Sequence, residues 1–325
     1  MAQDIRIAII GHGFMGHEHE KMLSGFPGIR LVGFSDRDPE QLEDVKEGLK
    51  RYSSNEELLA DPEVDVVLIA ANNNQHHDLV IQAAEAHKDI ICEKPVAMSL
   101  KELDEMEEAV KKNGVKFTVH QQRRFDPDFR TAKEVCDSGT LGDVYAIKNL
   151  LYGFNGNMHD WHVFVSEGGG MLYDWGVHLL DQVCWMFPGA KLKSVFADIR
   201  NVINKEVDDY FQIMLRFDNG VTATVELGTY YLADKTADKW FERHWFVAGN
   251  KGTAYVLLPG RKDRTYHPSA DQRGRQADHD GRRPHQILRT GAGRHDCNGG
   301  AAGSTHRPQG LLRSLHPFLA RGRRA

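Results

Sequence analysis

The sequence predicts an α/β protein with an N-terminal doubly wound parallel sheet and a C-terminal α+β domain whose open sheet is largely antiparallel. Three observations support this prediction: strand and helix patterns alternate over the first 120 residues, a glycine-rich turn follows the first apolar run, and longer alternating strands begin near Asp143. Strands that alternate with helices are typical of right-handed βαβ units. A chain of 325 residues is also long enough for two domains.

The N-terminal elements are predicted in order from their apolar periodicity. Ile5–Ile10 is typical of a buried parallel strand, and the turn after it leads into a helix that continues to about Ser24. Further strands are predicted at 31–35, 64–70, 89–92 and 116–120. Further helices are predicted at 39–50, 76–86 and 100–112.

The turn after the first strand reads GHGFMG and has the GxGxxG spacing of a dinucleotide-binding Rossmann domain. Gly11 allows the tight turn, Gly13 lets a pyrophosphate approach the backbone, and Gly16 permits close packing of the helix. Asp36 lies twenty residues after Gly16 and would accept hydrogen bonds from ribose hydroxyls while repelling a 2′-phosphate. NAD is therefore the predicted cofactor. NADP is the alternative, because Arg37 could bind a 2′-phosphate, and a glycine turn that binds nothing is the structural alternative.

The strand at 89–92 runs into the sequence CEKP, which places Lys94 at the carboxyl end of a buried strand. Ligands of doubly wound sheets bind in the crevice at this edge. Lys94 is therefore a candidate functional residue. The alternative is a lysine whose ammonium simply reaches solvent.

A second candidate segment reads EGGGMLYDWGVHLLD and covers residues 167–181. Three glycines precede a helical pattern in which Asp174, His178 and Asp181 follow at spacings of four and three, so they share one helical face. A carboxylate one turn before a histidine could form an acid/base surface. The same spacing also occurs in pairs that only stabilise a helix.

The motifs GHGFMG, EKP at 93–95, RRF at 123–125 and GGGMLYDWGVH together resemble the glucose-fructose oxidoreductase, inositol dehydrogenase and MocA family of oxidoreductases. The resemblance extends from Ile5 to about Val256. It implies a dinucleotide-binding Rossmann domain at 1–122 and a substrate-binding and oligomerisation domain at 123–260. It also implies that Lys94, Asp174 and His178 form the catalytic set.

The resemblance further indicates which residues surround the cofactor and the substrate. The family has a Thr-Pro-Asn turn after its third strand and a histidine three residues later, and here these positions read Asn72, Asn73, Asn74 and His77. His19 matches a histidine often found in the first helix of the family and is taken as structural. The predicted cofactor-binding residues are Gly11, Gly13, Phe14, Met15, Gly16, Asp36, Arg37, Asn72, Asn74, His77, Glu93 and Lys94. The predicted substrate-binding residues are Lys94, Arg124, Asn155, His159, Trp161, Asp174 and His178.

Oxidation of a secondary alcohol fits these residue types. Transfer of a hydride to nicotinamide C4 requires the hydroxyl proton to leave as well, and the imidazole of His178 suits that base role near neutral pH. Lys94 would donate to the substrate oxygen, and Asp174 would hold a neighbouring hydroxyl. In the alternative division of roles, Lys94 takes the proton itself.

Three functions remain open on these residues. The first is an NAD-dependent dehydrogenase that acts on a secondary hydroxyl of a sugar, inositol or glycoside. The second is a lyase or hydrolase that retains tightly bound NAD and oxidises a sugar carbon transiently so that a glycosidic substituent is eliminated. The third is a non-catalytic sugar or dinucleotide sensor, against which the joint presence of Lys94, Asp174 and His178 argues.

The segment FNGNMHDWHVFV, residues 154–165, is predicted to be a sugar-binding loop. Trp161 can stack on carbohydrate C–H surfaces, and polar side chains such as Asn155 and His159 can bind hydroxyls. Two histidines and one aspartate without a fourth ligand do not define a metal site, so no metal is predicted. A structural loop under the sheet is the alternative.

The second part of the chain is predicted to form an antiparallel sheet. Its strands are expected at 144–152, 192–200, 209–217, 221–229 and 244–248, and the Asp-Asn-Gly at 218–220 predicts a hairpin turn. The resemblance implies an open-faced sheet, whose exposed face commonly forms the oligomer interface in the family. A homo-oligomer, dimer or tetramer, is therefore expected if the C-terminus permits it.

Residues 261–325 differ in composition from the rest of the chain. They contain 14 Lys and Arg, 13 of them Arg, against five Asp and no Glu, with a single Ile and a single Phe. The segment is therefore predicted to be disordered. A nucleic-acid-binding arm is one interpretation, but the arginines form no patch, and no nucleic-acid partner is predicted. The preferred interpretation is an altered reading frame after the strand GTAYVLL.

The remaining features concern the cellular compartment. The longest uninterrupted apolar stretches, such as 66–71, are too short to cross a bilayer, so no membrane association is predicted. The N-terminus lacks the features of a secretory signal, which predicts a cytoplasmic location. The four cysteines are widely spaced without a CxxC pair and are expected to be reduced thiols.

Overall fold

The computed structural model describes residues 4–153, 158, 160–229, 242–257 and 264–266. Two sheets organise this part of the chain, one of six strands and one of seven. Among the described helices, none is long and apolar enough to cross a membrane.

The first sheet is parallel throughout, as predicted. Its strands are β1 (Ile5–Ile10), β2 (Ile29–Ser35), β3 (Lys50–Tyr52), β4 (Val66–Ile69), β5 (Asp89–Glu93) and β6 (Phe117–His120). They are ordered β3-β2-β1-β4-β5-β6. The accompanying helices are α1 (Phe14–Leu23), α2 (Asn55–Ala60), α3 (His76–Glu85) and α4 (Leu100–Asn113). The strand order reverses between β1 and β4, and this switch point is where such sheets bind their ligands.

Helices and loops cover both faces of the first sheet. Ile7 and Ile9 of β1 belong to one apolar core, whereas Ala8 and Ile10 belong to the core on the opposite face. A strand buried on both sides needs apolar residues at successive positions. This explains why β1 reads as an apolar run rather than as an alternating strand.

The helix predicted at 39–50 is wrong. Pro39–Leu42 forms a short 3-10 turn, and β3 already begins at Lys50. Leu42 and Val45 are both buried in this turn and the loop after it, and their three-residue spacing resembles the spacing of apolar residues in a helix. Gly48 has a φ of +91°, which a continuous α-helix does not contain. The short elements β3 and α2 carry too few apolar residues to give a periodic signal.

The second sheet is mixed and largely antiparallel. Its strands are β7 (Val144–Tyr152), β8 (Leu192–Arg200), β9 (Tyr210–Phe217), β10 (Thr222–Gly228), β11 (Glu242–Gly249), β12 (Gly252–Leu257) and β13 (Arg264–Tyr266). They are ordered β13-β12-β11-β7-β10-β9-β8, with β7 and β10 parallel and the other pairs antiparallel. β13 falls within the range 261–325, and the rest of that range lies outside the described residues.

Two helices cover one face of the second sheet. α5 (Pro127–Asp137) packs on β11 and β12, and α6 (Val177–Met186) packs on β10. On β9, Phe211, Ile213 and Leu215 enter the core, while Met214 between them is exposed. This alternation shows that one face is covered and the other is open.

Candidate active site

The ammonium of Lys94 contacts the carboxylate of Asp174. Lys94 follows β5 directly, as predicted, and its Nζ donates to Asp174 Oδ1 at 2.7 Å and to the Asp174 backbone oxygen at 3.0 Å. Burial alone would raise the pKa of Asp174, but the charge and hydrogen bond of Lys94 outweigh it and lower that pKa. Asp174 is therefore a carboxylate at neutral pH, paired with the lysine.

Asp174 lies in a π-helical turn, Leu172–Gly176, that precedes α6. The sequence predicts a regular helix here. In the structure, the wider turn is followed by α6, which carries His178. Asp174 contacts Lys94, whereas His178 contacts Gln121, so the two residues do not form the simple helix-stabilising pair that their spacing allows. π turns of this kind are frequent at functional sites.

His178 is a buried imidazole with a defined hydrogen bond. Its Nδ1 lies 2.8 Å from Gln121 Oε1. Because an amide oxygen only accepts, Nδ1 carries the proton, and Nε2 presents a lone pair. Burial, followed by the charges of Lys94 and Arg123, holds the pKa of His178 well below its ordinary value. A neutral imidazole of this kind can accept a proton at physiological pH.

The two arginines of the RRF motif have different surroundings. The guanidinium of Arg123 stacks on Trp175 at 3.8 Å, and its charge lowers the pKa of His178. Arg124 instead donates to Asp181 at 2.7 Å. Arg123 is therefore the cation beside the site, and the substrate role of Arg124 stays a prediction.

The predicted sugar-binding loop is described in part. Trp161 stacks on His162 with ring centroids 3.8 Å apart, and His162 Nε2 lies 4.0 Å from Asp174 Oδ2. His162 is therefore part of the site. In the sequence, only its position within the predicted loop indicates this. Asn155 and His159 lie outside the described residues.

The glycine turn between β1 and α1 fits a pyrophosphate. Gly11 has a φ of +96°, and a Cβ there would lie 2.6 Å from the backbone oxygen of Ala70. A Cβ on Gly13 would meet no atom within 4 Å, and no side chain caps α1, which begins at the next residue. Open space in front of uncapped N–H groups is what a phosphate group requires. Phe14, the first residue of α1, is 77% exposed, and Met15 is half-buried.

The end of β2 fits the adenosine ribose. Asp36 Oδ2 accepts from the His12 backbone N–H at 2.7 Å, and Oδ1 accepts from the Asp38 N–H at 2.9 Å. These bonds fix the carboxylate and leave each oxygen a further lone pair for a ribose hydroxyl. The neighbouring Arg37 is exposed.

Three consecutive asparagines connect the first sheet to the glycine-rich segment. Asn72 Nδ2 donates to Glu167 Oε2 at 3.0 Å, Asn73 Nδ2 to the Gly168 oxygen at 2.8 Å, and Asn74 Nδ2 to the Ser166 oxygen at 3.0 Å. We call this set the asparagine latch. The cofactor contacts predicted for Asn72 and Asn74 stay predictions.

The histidines that follow the latch differ in position. The side chain of His77, in α3, faces α4, where its Nε2 lies 3.0 Å from Glu105 Oε2. His76 is fully buried, and its Nδ1 lies 2.8 Å from the Pro95 backbone oxygen. The histidine in contact with the EKP segment is therefore His76, and the cofactor role predicted for His77 stays a prediction.

Glu93 forms a buried cluster behind Lys94. Its Oε1 lies 2.6 Å from His19 Nε2 and 2.7 Å from His120 Nδ1, and all three side chains are almost fully buried. His19 therefore has a polar partner, whereas the sequence offers no signal for one. The three residues come from α1, β5 and β6 and meet only in the folded sheet.

A glycine turn at the switch point of a doubly wound sheet, with a buried histidine and a half-buried lysine and aspartate at the same edge, is typical of a nicotinamide-dependent oxidoreductase. The comparison with known families agrees with this class. Residues 5–121 match the oxidoreductase family with an NAD-binding Rossmann fold, GFO/IDH/MocA, and residues 129–255 match the GFO/IDH/MocA C-terminal domain. The chain belongs to this family, which confirms the predicted fold class and NAD as the cofactor.

Two of the relatives are named as inositol dehydrogenases. The chain is 31% identical over 260 residues to a myo-inositol 2-dehydrogenase of Thermotoga maritima, a match that covers 78% of this chain and 75% of the relative. It is 29% identical over 265 residues to a scyllo-inositol 2-dehydrogenase (NAD(+)) of Bacillus subtilis, covering 79% and 75%. A solved NAD-binding protein from Listeria innocua is 36% identical, with a TM-score of 0.76 over 82% of this chain and 77% of that one.

Proposed function

We propose that the protein is an NAD-dependent dehydrogenase that oxidises a secondary hydroxyl of a sugar, inositol or glycoside. The observation that carries this proposal is the Lys94–Asp174 pair, 2.7 Å apart, beside the buried neutral imidazole of His178 at the ligand-binding edge of the sheet. The inositol dehydrogenases among the relatives support a polyol as the substrate class.

The chain supplies the proton chemistry of the oxidation. NAD, when bound, would supply the hydride acceptor. His178 takes the hydroxyl proton at Nε2, because Gln121 holds the proton on Nδ1. The Lys94 ammonium donates to the reacting oxygen and stabilises the negative charge that develops there.

Asp174 organises this site. Its Oδ1 keeps the Lys94 ammonium in place, and its Oδ2 lies towards His162. Oδ2 can accept a hydrogen bond from a hydroxyl next to the reacting carbon, which a polyol substrate provides. The observed bond to Asp174 favours an ammonium that donates over a free amine that takes the proton.

Asp36 supports NAD rather than NADP as the physiological cofactor. Its carboxylate is fixed by two backbone N–H groups at the end of β2. A 2′-phosphate would bring negative charge against it. We assign cofactor binding to residues 1–122 and substrate binding to residues 123–260, a division that falls where the 3-10 turn Gln122–Phe125 leads from β6 to α5.

We further propose that two copies of the chain associate through the second sheet. β8 forms one edge of this sheet. Its apolar side chains Val195, Phe196 and Ile199 are exposed, as is the neighbouring Met214 of β9. An exposed apolar edge of this kind is a surface that a second copy can cover.

The function is tested by NADH formation on a panel of inositols, sugars and glycosides. Lys94→Met and His178→Gln are each expected to lower kcat/KM by about 100-fold or more, because the first removes the donor to the reacting oxygen and the second removes the base. Lys101→Met is the matched control, since this lysine lies on the exposed side of α4 with 84% of its side chain accessible. NAD binding is measured in parallel to separate catalysis from affinity.

The outcomes separate the alternatives. Unchanged turnover in His178→Gln would show that His178 is not the base. Consumption of a glycoside without net NADH would favour the lyase or hydrolase that retains its NAD. NAD binding without consumption of any compound of the panel would favour a sensor.

A further inference from the structure

The cluster behind Lys94 contains a carboxylate that receives two imidazole hydrogen bonds. Glu93 Oε1 lies 2.6 Å from His19 Nε2 and 2.7 Å from His120 Nδ1, while Oε2 lies 3.3 Å from the Lys94 backbone N–H. The Glu93 side chain is 5% exposed, and the two rings are 0% and 1% exposed. The group is therefore shielded from solvent.

The outer nitrogens of the two rings indicate where the ring N–H groups are directed. Among the described residues, His19 Nδ1 and His120 Nε2 are buried without a hydrogen-bond partner. A buried N–H without an acceptor costs more than a buried lone pair, and a buried imidazolium costs still more. Each ring therefore directs an N–H group at Glu93. Burial lowers the pKa of His19, in agreement with a neutral ring.

The carboxylate of the cluster is ionised. Burial alone would raise the pKa of Glu93, but its interactions with His120 and His19 outweigh burial and hold that pKa well below its ordinary value. Within the described residues, the groups in ion-pair contact with Glu93 are the two imidazoles. The Lys94 ammonium is directed at Asp174 instead.

This negative charge acts on the reacting centre. Glu93 is the last residue of β5 and directly precedes Lys94, so it lies at the same edge of the sheet. It raises the pKa of His178, whereas Lys94, Arg123 and His120 lower it. For a hydride to pass, the nicotinamide ring must lie beside the same base. The ring is cationic only in its oxidised form, and a buried carboxylate at this edge stabilises that form.

We propose that the Glu93 carboxylate, held by His19 and His120, is the counter-charge of the oxidised nicotinamide ring and makes the site bind NAD⁺ more tightly than NADH. This inference rests on the proposed dehydrogenase function and adds a preferred direction, oxidation of the alcohol. It gives His19 a positioning role, since this histidine keeps the carboxylate oriented and ionised.

A metal ion is the other ligand that two histidines and a carboxylate could hold, because their ligand atoms lie within 4.8 Å of one another. Histidines that bind a metal normally donate their second ring N–H to a carbonyl or carboxylate. His19 and His120 have no such partner. The cluster therefore has the hydrogen-bonding pattern of a buried carboxylate that accepts two imidazole hydrogen bonds, rather than that of a metal centre.

The test compares dissociation constants of NAD⁺, NADH and ADP-ribose, measured calorimetrically on the full chain without substrate. In Glu93→Gln, which keeps the shape and removes the charge, the affinity for NAD⁺ is expected to fall about tenfold or more. The affinities for NADH and for ADP-ribose, which lacks the ring, should change little. Glu93→Asp keeps the charge and should retain the preference for NAD⁺.

Glu107→Gln is the matched control, because it removes a carboxylate from the exposed side of α4, where Glu107 pairs with Lys111. An equal loss of NAD⁺ and NADH affinity in Glu93→Gln would overturn the proposal and leave Glu93 a structural role. An unchanged ratio would do the same. A metal ion that binds the wild type stoichiometrically and is lost in Glu93→Gln would overturn the assignment of Glu93 as a metal-free carboxylate.

The unmodified protein supplies a second test that does not depend on the folding of a variant. The proposal requires NAD⁺ to bind more tightly than NADH, and equal or tighter binding of NADH would contradict it. These measurements need no turnover. Failure to oxidise any polyol would therefore count against the proposed function, whereas the ratio of the two affinities decides the role of Glu93.

Discussion

His178 combines a fixed tautomer with a pKa set by its neighbours. Gln121 orients the ring, and burial together with the cations Lys94 and Arg123 stabilises the neutral form. A base must be neutral to accept a proton, so activity is lost only when the pH falls through the pKa of the folded protein. Since that pKa lies well below the ordinary value of about 6.5, the acid limb of kcat/KM should lie below about pH 6.5.

Removal of one neighbouring cation should move this acid limb. In Arg123→Gln, the pKa of His178 is expected to rise, because a positive charge no longer opposes protonation. The pH profile of kcat/KM and the NMR titration of the imidazole measure this shift. Arg130→Gln is the control, since Arg130 lies on the exposed side of α5. An acid limb at the same pH in both variants would contradict the predicted influence of Arg123.

At the residue scale, the sequence predicts the proposed catalytic residues better than it predicts the residues that orient them or shift their pKa. Lys94, Asp174 and His178 stand in motifs whose spacing and strand position are visible along the chain. Gln121 lies 57 residues from His178, and no local pattern indicates that its amide will orient the ring. Such partners come together through the packing of separate strands and helices, which a single sequence does not specify.

At the scale of the elements, two glycines of the turn before α1 have different roles, one in packing and the other in ligand binding. A Cβ on Gly13 would enter open space, whereas one on Gly11 would collide with the backbone of Ala70. We expect Gly13→Ala to keep its melting temperature within a few degrees and to bind NAD about tenfold or more weakly, because the methyl group occupies the phosphate space.

Thermal unfolding and NAD titration measure the two effects of Gly13→Ala. Gly11→Ala is the contrasting variant. It should unfold at a clearly lower temperature, since it adds both a backbone collision and the strain of a φ of +96°. Wild-type affinity for NAD in Gly13→Ala would show that the pyrophosphate does not lie at this turn.

The asparagine latch joins two elements that carry different parts of the site. Asn73 is buried and donates to Gly168, six residues before Asp174. Asn73→Ala should lower kcat by about five- to tenfold, which is the loss expected for one buried hydrogen bond, and leave the NAD dissociation constant nearly unchanged. Steady-state kinetics and NAD titration separate the two quantities.

Asn113→Ala is the control for the latch. Asn113 also donates to a backbone oxygen, that of Ala109, but at the end of α4. A loss of stability without any change in kcat for Asn73→Ala would show that the latch supports the fold only. The motif comparison shows that Asn72 and Asn73 depart from the family's turn. It does not show where the three amides are directed, because their acceptors lie more than 90 residues away.

For the whole molecule, the sequence predicts the sheets but not the complete order of their strands. Alternation identifies β7 to β11 and the faces of each strand. It does not predict that β7 lies between β10 and β11, or that it pairs in parallel with β10. Pairing depends on which edges meet during folding, and periodicity specifies only which side of a strand is buried.

The exposed apolar edge of the second sheet leads to a prediction about assembly. Phe196 and Met214 are direct cross-strand neighbours and are 61% and 45% exposed. The double variant Phe196→Lys/Met214→Lys should convert a dimer into a monomer, because two charges would face a second copy across the same surface. Stability should change little, since neither side chain lies in the core.

Light scattering after size-exclusion chromatography measures the mass. Leu100→Lys alters another leucine, 80% exposed on α4, and should leave the mass unchanged. The same mass for the double variant and the wild type would exclude this edge as the interface.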